Sequence, residues 1–561
     1  MNAVIPQPRQ ATRTAATAGP RTTGTWRIHP ADARLRGLAA TVHALLTPHL
    51  GDRLQPLGAS PDPGPATLPD PGPATLPDPG PATLTLALDD AAAPDLPAPV
   101  GIAPTGEAEP LDESYRLTVG PRGIACRAAT PAGVFRAATT ALHLLGTSGD
   151  HIPCQELTDA PHFAWRGLLV DPARGYLTPG ELRTLIDLAA LYKLNVLHVH
   201  LTDNEGWRLE IPGVPELTAP APDGTPRAFY TTDDYRELQA YAAERFVTLV
   251  PEIDLPGHCA TLREALPGLP PAPAPEGLAG RFPYVPPLDL ADPATAKAVA
   301  TILDDVCRLT DGPFVHIGGD EAVGATEESF VRSIRELRSL VRGFGKHPVG
   351  WQESSRAGIG PEDIAQFWVD VPMMDLPDTA EELASRPELL AAGQTVEFIA
   401  ALKTFFAPTD HDLARVLDGG GRVLLSPQSH LYLDRAYAPQ VVPAGQASTA
   451  ARLGFPTYRP LGVEHTARWD PASHDIPDDQ VAGVEATVFA ESVTSLDDVT
   501  TLLLPRLPSV AAAAWTGRAP DWDDHRSRLA HHGRLWEQRG LAYLASTEIS
   551  WAGATDAPST P

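Results

Sequence analysis

Cysteine is scarce in this chain: Cys126, Cys154, Cys259 and Cys307 lie far apart and form no CxxC pair. That leaves neither a disulfide framework nor a zinc knuckle. Positive charge is also in deficit. Lys and Arg number 43 against 70 Asp and Glu, a net charge of −27. Such a surface argues against a nucleic-acid partner, which needs concentrated cationic charge, and against docking on anionic membranes. No run of about 18 apolar residues occurs, so nothing reads as a membrane span. The opening "MNAVIPQPRQATRTAATAGPRTTG" lacks the apolar core of a signal peptide. A cytoplasmic location is the expectation, with export left open if the start codon is misplaced.

What is present is length enough for two domains: 561 residues. Residues 1–24, rich in Ala, Thr, Pro and Arg without periodicity, read as disordered. Residues 61–84 are three perfect copies of "PDPGPATL", too short and too proline-rich to stack as a solenoid. They read as a stiffened loop insertion in a small domain of residues 25–160. That domain combines alternating strands ("ATLTLALDD", "ESYRLTVGPRGIACRAA") with a capped helical stretch, "TPAGVFRAATTALHLLG".

From Trp165 the pattern changes. Short apolar strands are expected at 166–171, 195–201, 246–254, 314–319, 348–352, 364–368, 422–427 and 481–489. Helical stretches lie between them, notably 179–193, 232–245, 293–310 and 326–343. Eight such units predict a (β/α)8 barrel over residues 161–520, lengthened by a long connection at 369–409. A doubly wound sheet would carry a glycine-rich phosphate loop after the first strand; here that strand leads into "DPARGYLTPG". Residues 521–545 read as a terminal helix and 546–561 as a loose tail.

In such a barrel, chemistry gathers where strands end. Polar and aromatic residues cluster at these ends: Arg166 and Asp171, then Asp203 with Asn204, Glu205 and Trp207, then Glu252, Asp254 and His258. Asp320 and Glu321 follow, then Trp351 and Glu353, Trp368, Tyr432 with Asp434, and Phe489 with Glu491. Carboxylates beside aromatic rings suit a sugar, whose CH faces stack on rings while its hydroxyls pair with charged groups. A rival is a metal-dependent hydrolase using His198 and His200 with neighbouring carboxylates. These histidines precede their strand's end, which places them below the pocket floor and favours a structural role.

The ordered motifs "FAWRGLLVDPARGYL", "LYKLNVLHVHLTDNEGWRLEI", "VPEIDLPGH", "HIGGDE", "LYLD" and "GVEATVFAES" resemble glycoside hydrolase family 20, the β-N-acetylhexosaminidases. The resemblance extends over about residues 25–545. It implies an exo-acting, retaining enzyme without cofactor or metal, acting on oligosaccharides or glycoconjugates with a terminal N-acetylhexosamine. In that family the substrate's acetamido oxygen, not an enzyme group, attacks the anomeric carbon. By the same resemblance Glu321 is the acid/base, kept protonated by repulsion from Asp320, and Asp320 orients the acetamido N–H. Arg166, Asp434 and Glu491 would bind hydroxyls, Tyr432 the acetamido carbonyl, and Trp351 and Trp368 its methyl. Asp254 and His258 resemble the pair supporting the acid, with Asp203 structural. Phe489 stands where the family usually has Trp, which implies weaker stacking, and a catalytically degenerate sugar-binding relative remains an alternative.

Overall fold

Eight of the apolar runs share one physical problem: they are hydrophobic on both faces and so must be covered on both. The computed structural model, which describes residues 3–58, 80–92, 96–221, 223–273, 285–370, 376–391 and 393–552, solves it by closing them into a parallel barrel. Its strands are Trp165–Val170 (β7), Val196–His200 (β8), Thr248–Glu252 (β9), Phe314–His316 (β10), His347–Trp351 (β11), Ile364–Phe367 (β12), Arg422–Leu425 (β13) and Val481–Val488 (β14). Each runs beside the next, and β14 pairs with β7 to seal the ring. The expected helices form between them, at Pro179–Leu191, Thr232–Ala243, Pro293–Leu309 and Glu327–Gly343. Two of these start at a threonine whose side chain and the N3 carboxylate cap one another.

The small domain is a six-stranded mixed sheet built from Gln10–Arg21 (β1), Trp26–Pro30 (β2), Ala82–Leu88 (β3), Tyr115–Gly120 (β4), Gly123–Ala128 (β5) and His151–Asp159 (β6), in the order β1-β6-β4-β5-β3-β2. Helices Arg36–Leu50 (α1) and Pro131–Thr147 (α2) pack on it, the second capped by Thr130 with Pro131 in its first turn. The expectation of disorder for residues 1–24 is corrected here. Gln10–Arg21 is an edge strand paired with β6, Val4 and Ile5 are fully buried, and His532 meets the Ala3 carbonyl at 2.7 Å. Most of the proline-rich repeat lies outside the described residues, and its last three residues open β3. The single C-terminal helix is also corrected: two short helices, Trp522–Leu529 and Gly533–Glu537, break at Ala530–His532. Ser546 and Ile549, expected in a loose tail, are buried. No helix among the described residues is long and apolar enough to cross a membrane.

Arg166 belongs to this architecture and not to a binding site. It is the second residue of β7, at the barrel's N-terminal end, and is fully buried. Its guanidinium donates to both oxygens of Glu113, at 2.8 and 2.7 Å, and to the carbonyls of Lys193 and Phe163. Glu113 also accepts from Arg136 of α2 at 2.7 Å, so one carboxylate ties the small domain to the barrel. Burial raises the Glu113 pKa, but the two guanidiniums outweigh it and hold the group below the ordinary carboxylate value. Removing Arg166 leaves the buried Glu113 with one guanidinium instead of two and leaves the carbonyls of Lys193 and Phe163 without its N–H groups. Arg166→Met is therefore expected to lower unfolding stability by about 3–5 kcal/mol, read as a fall in the urea midpoint. An unchanged midpoint would show that the latch carries no stability.

Candidate active site

A cleft of about 220 Å³ opens at the C-terminal ends of the barrel strands. Its lining includes Arg174, His200, Asp203, Asp254, His258, Asp320, Glu321, Trp368, Tyr432, Phe489 and Glu491. Strand β10 delivers the acidic pair. It ends at His316, and the chain then turns through Gly318 and Gly319 in left-handed conformations, φ +68° and +99°. At Gly318 a Cβ would lie 1.8 Å from Asp254 Oδ1, so only glycine fits. The turn leaves the Asp320 side chain 16 % and that of Glu321 28 % exposed, half-buried at the cleft wall. Glu321 and His258 themselves hold positive φ, +41° and +43°, a strained geometry characteristic of functional turns.

His258 faces the pair. Its Nε2 is 3.6 Å from Glu321 Oε2, 3.8 Å from Asp320 Oδ2 and 4.0 Å from Asp254 Oδ2. Its Nδ1 contacts Asp203 Oδ1 at 3.1 Å. The residue that orients the imidazole is thus Asp203, while Asp254 spends one oxygen on the Gly319 N–H at 3.0 Å. Asp254 stays within ion-pair reach of His258, and Asp203 makes the closer contact. Asp203 continues inward: its other oxygen is 3.0 Å from His200 Nε2, whose Nδ1 is 2.6 Å from Glu252. Glu252, fully buried, is also approached by His198 at 3.2 Å, by His316 at 3.0 Å and by the Trp351 indole N–H at 2.8 Å.

The electrostatics follow from this alternation. Burial opposes charge on His198, but Glu485 and Glu252 raise it to about 9, and His200 and His258 are raised well above the ordinary imidazole value by their carboxylates. Glu252 and Asp203 pay burial too, yet flanking imidazoles hold both well below the usual range. In the cleft the balance reverses. Burial first, then the Asp254 charge, pushes Asp320 well up; Asp254 itself rises to about 6. Glu491 rises to about 7 through burial, against the pull of Arg174.

Arg174 takes the place expected of Arg166. Its guanidinium reaches Asp171 at 2.9 Å, Asp203 at 2.7 Å and Glu491 at 3.7 Å, and lies over the Phe489 ring. It follows the C-terminal end of β7, where barrel chemistry is expected, and that position was the available signal in "DPARGYL". Trp368 and Tyr432 stack at 6.2 Å, nearly parallel at 12°, as one aromatic wall, with Phe489 5.5 Å from Tyr432. Trp351 is not in the lining. Its N–H is drawn inward to Glu252, and its ring packs beneath Phe489. Asp434 is also behind the surface, buried next to Glu491, with Oδ1 lacking a hydrogen-bond partner among the described residues. Unforeseen lining residues are Gln428, Phe455, Thr457 and Tyr458, together with Leu376, Gln394, Phe398 and Phe406 from the long connection after β12.

The histidines of the rival hypothesis are spoken for. His198 Nδ1 faces Glu485 at 2.8 Å and both nitrogens of His200 face carboxylates, contacts that hydrogen bonds account for; His198, Glu252 and His316, and His200, Glu252 and Asp254, also lie close enough together to hold an ion. His198 lies beneath the cleft floor; His200 reaches the lining.

Residues 163–518 match the profile described as glycosyl hydrolase family 20, catalytic domain, and residues 1–160 match that family's domain 2. The chain is 34 % identical over 461 residues to a beta-N-acetylhexosaminidase of Cellulomonas fimi, covering 80 % of this chain and 83 % of that one. It superposes on a solved family 20 beta-N-acetylglucosaminidase with a TM-score of 0.73 at 29 % identity, covering 98 % of this chain and 100 % of that one. A mutant Streptomyces plicatus beta-hexosaminidase, solved in complex with the product GlcNAc, gives 0.70 at 27 % identity and covers 98 % of both chains. The barrel, the small domain before it and the acidic pair at the end of β10 place this chain in glycoside hydrolase family 20.

Proposed function

We propose that the protein removes terminal, non-reducing β-linked N-acetylhexosamine, GlcNAc or GalNAc, from oligosaccharides or glycoconjugates, with retention of configuration. The observation that carries this is the Asp320–Glu321 pair facing His258 beside the Trp368–Tyr432 wall. Adjacent side chains on a sharp turn diverge, so two carboxyls can serve two sides of one sugar. Glu321 protonates the glycosidic oxygen as the bond to the anomeric carbon breaks. The substrate's acetamido oxygen attacks that carbon and closes an oxazolinium ring. Asp320 accepts the acetamido N–H and, ionised, stabilises the positive charge that develops there. Tyr432 donates its hydroxyl to the acetamido oxygen while Trp368 walls the methyl. Once the leaving group departs, water attacks the anomeric carbon, Glu321 takes its proton, and the ring reopens.

Arg174, Glu491 and Asp203 suit the remaining hydroxyls, since they form a charged cluster in the cleft lining. Phe489 offers a smaller face than an indole, and the cation of Arg174 above it makes up part of the contact. His258, charged between Asp203 and the pair, keeps Glu321 oriented and lets it exchange a proton in both half-reactions.

With a chromogenic β-GlcNAc glycoside in excess EDTA, wild type should turn over and Glu321→Gln should lose about 10²- to 10⁴-fold in kcat/KM. Turnover abolished by EDTA and restored by zinc would overturn the reading in favour of a metal hydrolase. A second test uses pH. Burial raises Asp320 most, and the anion of Asp254 raises it further, so the two carboxyls act on one another as a pair. Asp320 works ionised, so kcat/KM falls as pH drops through that pair. Asp254→Asn removes the like charge and should move this acid limb to lower pH. A limb that stays put or moves up would contradict the assignment.

A further inference from the structure

Between β12 and β13 the chain detours through helices Ala380–Ala384, Pro387–Ala391 and Val396–Phe406 and a 3-10 stretch, Ala407–His411. This detour has a core of its own: Leu383, Leu389 and Ile399, with Val396 and Leu376 packed against it. Leu376 packs equally on the aromatic cluster of Trp368 and Tyr432, and Phe406 meets Trp368 edge-on at 6.1 Å. The detour is therefore keyed into the cleft wall, to which it gives Leu376, Gln394, Phe398 and Phe406.

Its position relative to the chemistry is set by Phe406. That ring lines both the cleft and a second cavity of about 130 Å³, which Glu321, Pro408 and Thr409 also line. The detour thus borders the cleft at the acid. On the proposed function, Glu321 delivers its proton to the leaving oxygen, so the space beside it belongs to the leaving group. The second cavity adds Glu327, Glu353 and Arg356, the last paired with Asp412 at 2.9 Å, so it favours no anion, and the detour's own share of the cleft lining is neutral. None of the four lining residues carries charge, and Lys403 of the detour is paired with Asp378 at 2.6 Å. Gln394 turns a buried Oε1 toward no hydrogen-bond partner among the described residues. An amide both donates and accepts, which matches sugar hydroxyls, and Phe398 and Leu376 match the CH face of a pyranose.

We propose that residues 376–391 and 393–411 form the leaving-group subsite, with Gln394 hydrogen-bonding and Phe398 stacking a neutral hexose or N-acetylhexosamine. The inference rests on the function proposed above and adds to it a substrate class: neutral oligosaccharides, not conjugates whose leaving unit is anionic. The experiment compares wild type, Gln394→Ala, Gln394→Glu and Phe398→Ala. It reads kcat/KM on the neutral disaccharide GlcNAc-β-1,4-GlcNAc and on its counterpart ending in glucuronic acid, and the inhibition constant of free GlcNAc, which occupies the terminal-sugar side alone. Wild type should prefer the neutral disaccharide. Gln394→Ala should lose about five- to tenfold on it, and Phe398→Ala about tenfold. Gln394→Glu, which keeps the side chain's shape, should widen the preference against the uronic acid. The GlcNAc constant should stay within about twofold throughout, which also reports an intact fold. Inhibition constants rising in step with the disaccharide loss, or disaccharide kinetics untouched, would overturn the subsite. Wild type inert even on an activated aryl β-GlcNAc glycoside would overturn the function itself, and the subsite with it.

Discussion

A buried carboxylate survives in a barrel core only if every lone pair is answered, and Glu252 is the point where this protein meets that constraint. His200 and the Trp351 indole N–H hydrogen-bond it, and the rings of His198 and His316 close around it at 3.2 and 3.0 Å. From there charge alternates outward: Glu252, His200, Asp203, His258, and then the facing pair Asp320 and Glu321. His198, His200 and His258 each lie between carboxylates, and Asp203 lies between His200 and His258, so along this chain a change of charge on one member exposes its neighbours. The alternation fixes His258 as a cation with its free N–H aimed into the cleft. A general acid beside it has a partner that can stabilise its anion after the proton has gone.

The same chain accounts for which residues are not at the surface. Trp351 is drawn below the lining because its N–H completes the shell of Glu252. Asp254 is held back by the Gly319 amide, which places its negative potential behind Asp320 and leaves it a looser partner of His258, at 4.0 Å, than Asp203. Strain is concentrated in the same place. The left-handed Glu321 and His258 face each other across the cleft, held by the glycine turn on one side and by Asp203 on the other. A scaffold this tightly paired can maintain two unfavourable backbone conformations at the site.

Much of this was legible in the residues alone, for identifiable reasons. Barrel strands buried on both faces leave continuous apolar runs, and their helices carry caps, so all eight units could be read. The acidic pair stood out because two carboxylates ending such a run need an explanation. Arg166 misled because its motif position was weighed without its place in the strand: the second residue of β7 lies at the barrel floor, whereas Arg174 lies past the strand's other end. Asp203 and Asp254 could not be separated without the distances to His258. The first strand was invisible for a different reason: an edge strand needs backbone partners, not apolar side chains, and Gln10–Arg21 has little else to offer. The wall from residues 376–391 and 393–411 was hidden because loop residues reach a cleft by tertiary packing, which no local period encodes.

The claim on which the account turns is that the substrate's own acetamido oxygen is the nucleophile, with Asp320 steering it and Glu321 moving the proton. The most direct measurement is kcat/KM of the wild-type protein on aryl β-glycosides whose 2-acetamido methyl carries none, one, two or three fluorines. Fluorine drains the carbonyl oxygen of nucleophilicity while scarcely changing its size. The account predicts a steep, monotonic fall across the series, reaching orders of magnitude at the trifluoroacetamide. A flat series, with turnover intact, would mean that a protein group attacks the sugar and would contradict the roles given to Asp320 and Tyr432.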